Sequence, residues 1–158
     1  MYDVRTIANE FIRLASKSGQ PLTNMQIQKL VYIAHGYGLA ILHRPLIKQH
    51  VEAWRYGPVI PELYNALREY GAGFVQKPIR VASQEVLTES DKVLVATVFN
   101  SYKRFTGPQL STMTHQADSP WRRVYNPHAE FHSEIISNDL IREYYANLLN
   151  ERAGIQPA

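Results

Sequence analysis

Residues 23–42 read TNMQIQKLVYIAHGYGLAIL, and the fold class turns on them. Thr23 and Gln26 stand in the Thr-x-x-Gln order of a capping box, in which hydroxyl and carboxamide reciprocally satisfy the orphan amides of a helix start. Behind it Ile27, Leu30, Val31, Ala34, Leu39 and Leu42 continue a helix apolar enough to predict a central position. Gly36 and Gly38 each cost roughly 1 kcal/mol against alanine in a helix interior, so they predict the close approach of a neighbouring element. The apolar run from Leu30 to Leu42 is interrupted by His35, Gly36 and Gly38 and falls short of the ~18 residues of a membrane span. It reads as a buried helix.

Upstream, Asp3 caps a helix with Val4, Ile7, Ala8, Phe11, Leu14 and Ala15 at helical spacing, ended by Gly19-Gln20-Pro21. Downstream, Pro45, Gly57 and Pro58 punctuate a stretch holding Val51, Ala53 and Trp54, which reads as extended chain or a short hairpin. Gly57-Pro58 forces a turn, and Pro61 opens a helix with Leu63, Tyr64, Leu67 and Tyr70 that stops at Gly71. Residues 72–86 read as loop with a short strand at Ile79–Val81. Thr88 caps the next helix, with Glu89 and Asp91 at the positive end of its dipole and Val93, Leu94, Ala96, Val98, Phe99 and Tyr102 toward the core. A shorter helix runs through Leu110 and Met113 to about His115, Ser119-Pro120 restarts another, and Ser137 caps a final amphipathic one. The expectation is mainly α: a single compact domain over residues 1–158, of about six helices, with an extended or β-hairpin insertion around 44–60 and the last few residues disordered.

The chain has 158 residues, no cysteine, 17 Lys+Arg against 14 Asp+Glu and a net charge of +3. Absence of cysteine excludes a disulfide scaffold, thiolate metal sites and a cysteine nucleophile, and a cytoplasmic location is the simplest expectation. Met1-Tyr2-Asp3-Val4-Arg5 does not begin a secretory signal. The basic residues are scattered, with Lys103-Arg104 and Arg122-Arg123 the only adjacent pairs, so a nucleic-acid surface is disfavoured.

Motifs for chemistry are weak. His128 and His132 lie four apart with Glu130 between them, but this is not the H-E-x-x-H order and it follows Asn126-Pro127, so loop or surface histidines are expected and no metal. Ser111, His115 and Asp118 supply the residue types of a triad without a G-x-S-x-G elbow. Gly36-Tyr37-Gly38 and Gly71-Ala72-Gly73 do not continue into phosphate loops. No catalytic residue and no cofactor is expected. The 10 Tyr and 2 Trp are more informative, because such side chains serve both hydrogen-bonded cores and interface anchors. Core is the preferred reading for Trp54 and Trp121. Tyr144 and Tyr145, adjacent on a helix, cannot both face inward and read as an exposed contact pair.

Three blocks carry a resemblance. Ile27 to Ala34 (IQKLVYIA), Glu52 to Tyr64 (EAWRYGPVIPELY), and Leu110-Ser111 with Thr114-His115 and Ser119-Pro120-Trp121 occur in the order seen in the Panacea domain, the SocA-like antitoxin family. The resemblance implies a compact helical domain from bacteria, prophages or phages that neutralises a cognate toxin by direct protein binding. It also implies an alternative, an adaptor that delivers the toxin to a ClpXP-type protease. A DNA-binding autoregulator and a helical hydrolase using His115 with Ser111 or Asp118 rank lower.

Within the motif, Trp54, Gly57, Pro58, Pro61, Tyr64, Thr114, Pro120 and Trp121 are assigned to the scaffold. Gln28, Lys29, Tyr32, Glu52, Tyr56 and His115, with Tyr144 and Tyr145, are the candidates for partner contact. For the polar members, satisfying backbone groups around the Gly57-Pro58 turn is the competing and favoured role. The aromatic excess is equally compatible with a homo-oligomer, and no membrane partner is expected.

Overall fold

The computed structural model describes residues 1–130 and 133–152. Its order is α1 (Val4–Ser18), β1 (Leu22–Thr23), α2 (Asn24–Tyr37), β2 (Val51–Trp54), β3 (Gly57–Val59), α3 (Pro61–Leu67), β4 (Phe74–Val75), α4 (Glu89–Tyr102), α5 (Gly107–Thr114), α6 (Pro120–Val124), β5 (Ile135–Ile136) and α7 (Asn138–Arg152). The protein is mainly α, with seven helices among the described residues. The expectations for His132 and for the tail from 153 onward lie outside the described residues.

Local chemistry sets the helix ends. Asp3 accepts from the Arg5 amide at the start of α1, and Gly19 closes that helix in the left-handed region at φ 71°. The Thr23–Gln26 capping box forms in full, and a second joins Thr106 to Gln109 at the start of α5. Thr88 and Ser119 cap α4 and α6, and the Ser137 hydroxyl accepts from the Leu140 amide in the first turn of α7.

Helix α2 is the axis of the molecule. Every residue from Ile27 to Tyr37 is buried, because α1, α4, α5, α7 and the β3–α3 segment pack around it. The α-helix does not continue to Leu42 as its apolar pattern predicts. It stops at Tyr37, passes into a π-helical turn over Gly38–Leu42, and ends at His43 with φ 57°. The chain then doubles back, and the Leu46 and Ile47 amides donate to His35 Nδ1, whose Nε2 meets Asn138 Oδ1 at 2.9 Å. That pattern fixes the tautomer with the proton on Nε2. Burial holds the His35 pKa below its ordinary value.

The insertion is a hairpin, β2 antiparallel to β3 with Trp54 opposite Gly57, and β5 adds to the other edge of β2. Pro58, which has no amide hydrogen to give, sits on the edge strand β3. A second small sheet pairs β1 with β4. The strand read at Ile79–Val81 is absent: the Asn9 side chain takes the Ile79 amide and donates to its carbonyl, leaving no ladder to form. Helix α4 also turns differently from its reading. Val95 is buried and Val93 is 63% exposed, while Asp91 is buried and bonded to Tyr2, Arg44 and Thr88.

Candidate functional site

The hairpin between β2 and β3 is fixed from behind by side chains of three helices. Trp121 Nε1 on α6 donates to the Trp54 carbonyl, and Ser111 Oγ on α5 donates to that of Tyr56. Lys29 Nζ on α2 donates to the Pro58 carbonyl at 2.7 Å, and Gln28 Oε1 accepts from the Ile60 amide at 3.1 Å. Successive even-numbered residues of the hairpin are thus each held by a side chain from the helical core. At Pro58 and Ile60 the bonds are buried, and the backbone groups there would otherwise lack partners, which is costly.

Gly57 closes this arrangement. Its φ of 123° suits only glycine, and a Cβ there would lie 3.1 Å from Lys29 Nζ, 3.5 Å from Thr114 Oγ1 and 3.7 Å from His115 Nδ1. The hairpin backbone therefore packs against the polar side chains of Lys29 on α2 and of Thr114 and His115 at the end of α5. Lys29 is among the most buried charged residues, and that burial pushes its amine down to about 7.

What this framework presents is the tip. Tyr56 is 64% exposed, and the Arg55 guanidinium lies over its ring at 5.4 Å. Trp54 is half-buried, edge-on to Tyr64 with ring centroids 5.1 Å apart. Beside the tip runs an open groove of about 870 Å³, walled by the start of α2, the hairpin, α3 with the turn after it, β4 and residues 106–108. Met25 and Phe74 stand exposed in it, with Tyr56 and Trp54 at one side and Arg68 at another. Large apolar side chains gathered in one groove mark a place for contact, whereas isolated ones would not.

The candidate contact residues are dispersed by this structure. Tyr56 stands in the groove. Gln28 and Lys29 reach it only as buried lining, and Glu52 is half-buried, accepting from Trp54 Nε1. His115 is half-buried, edge-on to Trp121 at 5.2 Å. Tyr32 and Tyr145 are buried core residues in edge contact with each other at 6.0 Å. The reading of Tyr144–Tyr145 as an exposed pair is therefore corrected: Tyr145 fills the space over Gly36, and Tyr144 is half-buried beside a small polar cleft of about 140 Å³ between α6 and α7. Of the scaffold residues, Pro58, Thr114, Pro120 and Trp121 are buried, and Pro61 and Tyr64 are partly so.

The exposed Arg68, Met25 and Phe74 are not announced by the sequence, and neither is the buried Asn24. An exposed side chain leaves no periodic trace, and only the tertiary fold brings β4 beside α2.

The triad residues do not assemble. Ser111 directs its hydroxyl to the Tyr56 carbonyl, with His115 Nδ1 at 3.5 Å, and among the described residues no bond joins Asp118 to His115. His128 lies exposed in a turn, and among the described residues no group of three or more His, Asp or Glu side chains could hold a metal ion. No described helix is long and apolar enough to cross a membrane.

Comparison with known proteins brackets this same framework. A family model described as "Antitoxin SocA-like, Panacea domain" matches residues 27–122, more than half of the chain. That interval begins just before Gln28 and ends just after Trp121, so it contains all four side chains that hold the hairpin. Antitoxin SocA of Caulobacter vibrioides (strain NA1000 / CB15N) is 27% identical over 135 residues, covering 78% of this chain and 71% of that protein. No solved structure matches.

Proposed function

The chain belongs to the SocA-like antitoxins of the Panacea domain family, and from that membership we propose that it neutralises a cognate toxin by binding it directly. The observation that carries this reading is the division of labour around the hairpin. The segment common to the family supplies the donors that fix the hairpin backbone, and the fixed hairpin exposes Arg55 and Tyr56 beside an apolar groove. Such a surface suits a binder, since tyrosine and arginine anchors on a rigid support lose little conformational freedom on association. The binding face is Tyr56 with Arg55, Trp54, Met25 and Phe74. Gln28 and Lys29 act through the hairpin they hold. Neutralisation follows by covering the toxin's active surface.

Co-expression tests it. The product of the adjacent gene should arrest growth alone and be tolerated when this chain is present. Rescue should persist in a host lacking its ClpXP-type protease. A neighbour that remains lethal in the presence of the chain contradicts the proposal, and rescue lost only in the protease-deficient host replaces sequestration by delivery to degradation.

A further inference from the structure

The groove is lined by three basic side chains, Lys29, Arg55 and Arg68, and by no acidic one. Among the described residues none of the three forms an ion pair, whereas Arg13 and Arg142 each find a carboxylate one helical turn away. The exposed Arg55 and Arg68 carry this charge, the Lys29 amine being buried against the Pro58 carbonyl, and apolar walls beside such cations concentrate positive potential. Apolar contact and positive charge together describe a stretch of polypeptide that has side chains to bury and carboxylates to offer.

We propose that the groove receives an acidic, apolar segment of the partner protein. Its aliphatic or aromatic side chains pack on Met25, Trp54 and Phe74, and a carboxylate meets Arg55 and Arg68. This inference rests on the reading that the chain binds its toxin at this face, and adds what the toxin must present there.

Random peptides displayed on phage and selected against the full chain provide the probe. The enriched peptides should carry Asp or Glu within a few residues of Leu, Phe or Trp. They should bind an Arg55→Ser/Arg68→Ser variant about tenfold more weakly, and lose the same factor when their own carboxylates become amides. Both arginines are exposed, and circular dichroism checks that the variant is folded. Selected peptides without acidic residues, equal binding to the double variant, or no enrichment at all would overturn the inference. The toxin assay separates the two levels: rescue by the wild-type chain that survives in the double variant overturns this inference alone, and no rescue by the wild-type chain overturns the antitoxin reading itself.

Discussion

Among single residues, Lys29 ties the central helix most directly to the hairpin. Its amine is buried beneath the hairpin, donates to the Pro58 carbonyl, and has its pKa lowered by burial from 10.5 to about 7. Below pH 7 the amine is protonated in both folded and unfolded chains, so the cost of burying the charge is fully felt. Between about 7 and 10.5 the unfolded chain holds a proton that the folded chain has released, so stability rises with pH across that window. The slope attributable to this group approaches about 1.4 kcal/mol per pH unit. Urea denaturation from pH 7 to 10 should show such a rise in the wild type and a flatter profile in Lys29→Met; parallel profiles would refute this account of the amine. That Lys29 is polar within an apolar run was legible in the sequence, as was a role in satisfying the turn. Its burial without a carboxylate was not legible, because the partner is a backbone carbonyl that only the folded hairpin brings within reach.

Between elements, the contact of α2 with α7 is decided at Gly36. A Cβ there would come within 2.2 Å of Tyr145 Cδ2, and Tyr145 is itself buried with Tyr32 and Tyr37 against its ring. Gly36→Ala should therefore destabilise the protein by about 1–3 kcal/mol, although alanine is the better helix former. Paired with Tyr145→Leu, which opens the space, the loss should be smaller than the sum of the two single losses. Thermal unfolding of the three variants measures this, and strictly additive losses would show that the two residues do not share the site. The glycine announced a close approach in the sequence because its helical cost needs a reason. Its counterpart stayed hidden, since adjacent tyrosines on an amphipathic helix do not declare which one is inside. Capping boxes and proline starts were legible for the opposite reason, being complete within four residues. The two-residue strands β1, β4 and β5 are too short to carry any period, and a backbone-satisfying side chain, Asn9, stood where a strand was read.

For the whole molecule, the three sequence blocks that pointed to the family come together as one framework around the hairpin. The groove beside it joins block residues, Tyr56 among them, to residues outside the blocks, Asn24, Met25, Arg68, Phe74 and the turn at 106–108, which only the fold brings to the same place. Isothermal titration of the purified chain with the purified toxin of its gene pair tests binding at this face most directly, comparing wild type with Tyr56→Ala, a substitution at an exposed tip position that leaves the supporting hydrogen bonds in place. A direct complex weakened by at least about thirtyfold in the variant is the predicted result. No complex with the wild-type chain, or equal affinity for both, would contradict the account.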